Sequence, residues 1–145
     1  MVNRLLTAVW VLCWLSASHA VAGAPVNLAR SARVSASSQH SPLYAPRWAV
    51  DGVIPELLCK DDVGRAWAVD GAKAGHRATF VLEWDEPVDV AEIIYYGRTA
   101  WLVEECWREY EVYLDEAAEP VARGQFEMNA GPQRVPVPRT KAKRI

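Results

Sequence analysis

Ala78-Thr79-Phe80-Val81-Leu82-Glu83-Trp84 alternates without a break: Phe80, Leu82 and Trp84 fall on one face, and Thr79, Val81 and Glu83 on the other. That period-two pattern is a strand with one face buried. Residues 88–96, which end Glu92-Ile93-Ile94-Tyr95-Tyr96, are β-branched and aromatic, and residues 110–114 alternate again. Weaker strand signals lie at 33–37, 66–69, 121–127 and 134–137. Nine prolines and eight glycines punctuate these runs, and no helical periodicity lasts three turns. One short helix is expected at 46–50, ended by Asp51-Gly52. Six or more short strands with turn signals predict an all-β fold, an antiparallel β-sandwich. Trp-Ala-Val-Asp-Gly occurs at 48–52 and again at 67–71, but the flanks do not match, so the pair reads as coincidence and not as a solenoid repeat.

The 145 residues suffice for one domain. Half of them are apolar and 23% are charged, which argues against disorder and coiled coil. A net charge of −2 offers no cationic surplus for a phosphate backbone, so nucleic acid is not an expected partner. Seven Trp and five Tyr stand against two Phe. Amphipathic rings in excess suit a surface that packs at one edge and meets a ligand or water at the other, although a Trp-rich β core gives the same count.

Residues 1–22 read as a secretory signal peptide: Arg4, an uncharged apolar run over 5–17, then small residues at Ser18, Ala20 and Ala22. The run is shorter than the ~20 residues a spanning helix needs. Its removal takes one base and no acid, leaving a charge of −3, and leaves Cys59 and Cys106 as the cysteines of a secreted or extracytoplasmic chain at 23–145. An even cysteine count in an oxidising compartment suggests one bridge.

The order Asn27-Leu28-Ala29, Val34-Ser35-Ala36-Ser37-Ser38, Ala49-Val50-Asp51-Gly52, Trp67, the strand at 78–84 and the run from Val90 to Gly97 resembles the factor V/VIII type C (discoidin) domains of the galactose-binding-like superfamily. The resemblance covers residues 26–145 and implies an antiparallel jelly-roll β-sandwich, mostly used to bind glycans, lipid head groups or proteins. Members of that family continue past the point where Arg144-Ile145 stands, which implies a jelly roll lacking its closing C-terminal strands. On that account residues 139–145 are a turn and the opening of a strand. The alternative is a basic tail for an acidic partner, since Arg139, Lys141, Lys143 and Arg144 crowd seven residues.

Three long loops, at 38–47, 53–65 and 98–107, interrupt the strands. In the domains it resembles, such loops project from one end of the sandwich and build the binding surface. Trp101-Leu102-Val103 beside Glu104 and Glu105 combines a ring face for sugar C–H groups with acceptors for hydroxyls. Arg98 and Arg108 add donors, and His40 and Tyr44 contribute from the first loop. Trp101 either stacks on a ligand or folds back as a cap, whereas Trp107 enters a strand and caps. Trp67 and Trp84 read as core. The resemblance also places Cys59 and Cys106 in neighbouring loops as a disulfide, and matches Asp51 to a residue that helps hold a structural Ca²⁺; Asp51 alternatively only caps a turn.

Membrane lipid is a weaker partner, because Glu104, Glu105, Asp61 and Asp62 would surround any inserted loop tip. Catalysis finds no support: His40 and His76 lack metal-ligand spacing, and no Gly-x-Ser-x-Gly or phosphate loop occurs. The expectation is a secreted non-catalytic module that recognises carbohydrate. The alternatives are a protein-interaction or adhesion module, or an accessory domain of a larger secreted enzyme.

Overall fold

A computed structural model describes residues 26–54, 56, 61–75, 77–97, 106–129 and 131–145. The expected signal peptide therefore lies outside the described residues. Among the described residues five strands form two antiparallel sheets: β1 (Arg33–Ala36), β2 (Phe80–Tyr96) and β5 (Pro132–Arg144) in the order β1-β2-β5, and β3 (Glu109–Val112) paired with β4 (Ala122–Gln125). Val90 of β2 and Val135, Val137 and Ala142 of β5 meet Val112 of β3 and the following Leu114. The core is the space between the two sheets, as the alternation in the sequence requires.

The two strands expected at 78–84 and 88–96 are one strand, and 66–69 is not strand, so the seven strand signals become five strands among the described residues. The register steps between Glu83 and Val88, where Pro87 has no N–H to give the ladder. A strand bulged in this way bends; its first part pairs with β1 on one edge, and β5 follows it along the other, from Pro132 beside Tyr96 to Arg144 beside Glu83.

β5 is longer than its 134–137 signal. Residues 139–144 are strand, neither a free basic tail nor a turn, with Asp89 opposite Lys141 and Glu83 opposite Arg144. Pro138 hid this continuity, because proline normally ends a strand read from sequence. Here it falls where the register shifts between Val90 and Glu92, on a strand at the sheet edge, where a missing N–H costs least. Asp115 fastens that edge: its Oδ1 accepts from the backbone N–H groups of Lys143 (2.8 Å) and Arg144 (3.0 Å), and its own N–H donates to the Arg144 carbonyl. Its φ of +50° is the left-handed conformation that Asp tolerates better than most residues.

Residues 66–69, expected as strand, are loop. The helix expected at 46–50 is a 3₁₀ turn, Pro46–Ala49. A one-turn helix, α1 (Gly71–Ala74), follows Asp70, whose carboxylate accepts from Ala72 N–H. The two Trp-Ala-Val-Asp-Gly copies thus differ in structure, as coincidence predicts. Among the described residues no helix is long and apolar enough to cross a membrane.

Candidate functional site

The first loop leaves β1 after Ala36 and is stitched to residues 62–68 by backbone bonds. His40 N–H donates to Ala68 O (2.7 Å), Gly64 N–H to Leu43 O (2.8 Å), and Ala68 N–H to Tyr44 O (3.4 Å). Gly64 has φ +72°, a turn conformation that a side chain would strain. Ser41 caps the 3₁₀ turn Pro42–Tyr44 by accepting from Leu43 N–H, which fixes where Tyr44 points.

Tyr44 Oη donates to Asp62 Oδ1 at 3.0 Å, and Asp62 is 3% exposed. The exposed imidazole of His40 meets the Tyr44 ring edge-on, with centroids 5.6 Å apart. Trp67, next to Ala68, donates its indole N–H to Ser38 O (2.9 Å), stacks on Trp107 (5.6 Å, 26°) and packs on Phe80 (4.9 Å). Trp107 N–H in turn donates to Tyr95 Oη at 3.2 Å. Burial pushes the Tyr95 phenol up to about 12; the nearby Cys106 thiol adds to this and the Trp107 N–H opposes it. The Tyr95 ring stacks on Phe126, and Phe126 on Tyr110, so rings run from the loop end into the core.

The structure brings together His40 and Tyr44 of the expected site. Arg108 is exposed just before β3, where its carbonyl accepts from Phe126 N–H (2.6 Å). Arg98, Trp101, Glu104 and Glu105 lie outside the described residues. Cys106 is buried, and Cys59 lies outside the described residues, so the bridge is not on view. Asp51 Oδ1 accepts from Val53 N–H (2.7 Å), the turn-capping role. Among the described residues no three His, Cys, Asp or Glu side chains gather as a metal site.

Trp67 belongs to a loop and not to a core strand, while Trp84, 6% exposed with its N–H donated to Leu28 O, is core as expected. Two contributors escaped sequence reading. Asp62 was read only as negative charge, with Asp61, against membrane insertion, since a buried carboxylate carries no periodic signature. Arg65, exposed beside the cluster and ion-paired with Asp61 at 3.6 Å, sat in a loop of mixed charge.

A protein-family model described as "Domain of unknown function (DUF7402)" matches residues 27–102. A search of the curated proteins returned no match. Among solved structures, the chain is similar to CpGH89CBM32-5 from Clostridium perfringens, in complex with GalNAc-β-1,3-galactose (TM-score 0.61, 15% identity, covering 81% of this chain and 83% of that one). It is similar also to the family 32 carbohydrate-binding module of C. perfringens NanJ, in complex with galactose (0.60, 17%, 81% and 81%). A third is chitosan-binding module 2 of a chitosanase/glucanase from Paenibacillus sp. IK-5, in complex with chitotriose (0.51, 15%, 81% and 82%). The fold is thus the β-sandwich of family 32 carbohydrate-binding modules.

Proposed function

This chain belongs to the DUF7402 family, and we propose that it is a non-catalytic carbohydrate-recognition module of an extracytoplasmic protein, reading a hexopyranose with the loops at one end of its sandwich. The observation that carries this reading is the His40–Tyr44–Asp62 cluster. A buried carboxylate pins the Tyr44 hydroxyl, so both an aromatic edge and the exposed imidazole are held in place before any ligand arrives. Preorganised polar groups beside rings are what a sugar requires, since its hydroxyls need donors and acceptors and its C–H faces need apolar surface. Arg65 and Arg108 add donors, and the Trp67–Trp107 stack supplies a rigid floor.

Support comes also from the similar modules solved with galactose, a galactose-containing disaccharide and chitotriose. The discoidin resemblance points the same way. In this reading Asp51, with carbonyls of its turn, holds a Ca²⁺ that stiffens the loop end, and Cys59 bridges to Cys106; Asp51 Oδ2 and the turn carbonyls are oxygen donors of the type Ca²⁺ takes. A glycan array probed with the full chain tests the function. Binding to galactose-, N-acetylgalactosamine- or chito-oligosaccharides, weakened at least ~10-fold in Tyr44→Ala, is expected, because a central ring contact is commonly a hot spot. A silent array, or binding indifferent to both His40→Ala and Tyr44→Ala, would overturn it.

A further inference from the structure

The outer face of the β2–β5 ladder shares no residue with the His40–Tyr44–Asp62 cluster and carries an ordered row of side chains. Along β2, Ile93 and Tyr95 turn toward the core, and Glu92, Ile94 and Tyr96 turn outward. Along β5, Val135 and Val137 are buried, and Pro132, Arg134 and Pro136 are exposed. The register sets Tyr96 beside Pro132, Ile94 beside Arg134, and Glu92 beside Pro136. Ile94 is 40% and Tyr96 37% exposed. Between them and Pro136, Arg134 Nη1 donates to Glu92 Oε1 at 2.5 Å.

We propose that this face is a second glycan-contact surface, a platform for a neutral pyranose polymer, separate from the loop-end site. Tyr96, Ile94, Pro132 and Pro136 offer flat apolar area for the C–H faces of sugar rings. The Arg134–Glu92 pair offers donors and acceptors to hydroxyls while carrying no net charge, which complements a neutral chain and not a polyanion. The apolar patch is small for a protein occupant. Four residues along two strands span roughly 14 Å by 5 Å between strand axes, a few hundred Å² at most with the side chains included. A stable protein interface takes about 800 Å² from each partner. One end of the face lies near the loop end, since Tyr96 precedes Gly97, and Gly97 packs close to the Cys106 Sγ, next in sequence to Trp107 of the Trp67–Trp107 stack. A polymer long enough to touch both places would gain through effective concentration without a new contact at either.

Affinity electrophoresis of the full chain in native gels cast with galactan, hydroxyethylcellulose or alginate tests this. Retardation by at least one of the two neutral polymers and not by alginate is expected. Tyr96→Ala and Arg134→Ala should each weaken it at least ~3-fold, whereas Tyr96→Phe, which keeps the ring and guards against misfolding, should not. Galactose binding in solution should survive Tyr96→Ala and fail in Tyr44→Ala, so the two sites stand or fall separately. Retardation by neither neutral polymer, equal retardation of wild type and Tyr96→Ala, or a dimer in sedimentation that Tyr96→Ala dissociates would overturn the proposal.

Discussion

The indole of Trp67 is wedged between Phe80 and Trp107, with its N–H donated to the Ser38 carbonyl. One side chain therefore ties the first loop to β2 and to the approach to β3, and Trp67→Ala is expected to cost ~3–5 kcal/mol in urea denaturation, as emptying an aromatic site usually does. A loss below ~1 kcal/mol would mean that the stack does not organise the loop end. Tyr95 gives a pH-dependent counterpart. Its folded pKa of about 12 exceeds the ordinary value near 10. Between those values the unfolded chain binds fewer protons than the folded one, so stability is intact below pH 10 and is lost as pH rises toward 12. Unfolding free energies at pH 9 and 11 should differ by about 1 kcal/mol more in wild type than in Tyr95→Phe; equal differences would contradict the assignment. His40 and Tyr44 were legible in the sequence because they are polar rings in a loop. Asp62 was not, because its burial is set by the Tyr44 hydroxyl eighteen residues away.

β2 and β5 carry the sandwich, and their strength was unevenly visible. The alternation at 78–84 and the β-branched run at 88–96 announced β2, since each side chain there already marks its face. What it concealed was that the two runs are one bent strand, because Pro87 reads locally as an end. β5 was concealed more deeply: three prolines and four late cations describe an edge strand as well as they describe a tail, and only its pairing with β2 decides between them. Ala142, 1% exposed, separates those accounts experimentally. Ala142→Leu is expected to destabilise by ~1–3 kcal/mol through overpacking, while Lys141→Ala and Lys143→Ala stay within ~0.5 kcal/mol. A neutral Ala142→Leu would return residues 139–144 to the status of a tail. The loop at 66–69 misled in the opposite direction, because Trp67 and Val69 alternate like a strand while the backbone of Ala68 between them bonds to the first loop, through His40 and Tyr44.

Across the described residues, the two sheets hold a core of Val90, Val112, Leu114, Val135, Val137 and Ala142, and the first loop, through Ser38, and Trp107, just before β3, both meet Trp67. Fold class was readable from periodicity, which samples burial directly; the site was only partly readable, because loop residues meet through backbone bonds that leave no pattern in sequence. The proposed Cys59–Cys106 bridge would tie the second loop to the third. Non-reduced mass spectrometry of exported chain should find no alkylatable thiol, and two alkylated cysteines would dismiss the bridge. The central claim is that the loop end binds sugar, and its most direct measurement is a ¹⁵N–¹H correlation titration of the chain with galactose, N-acetylgalactosamine and chitotriose. Saturable shifts for at least one of them, concentrated at residues 38–47, 61–68 and 106–108 and absent in Tyr44→Ala, are predicted. A spectrum that none of the three perturbs, or shifts that persist unchanged in Tyr44→Ala, would contradict the account.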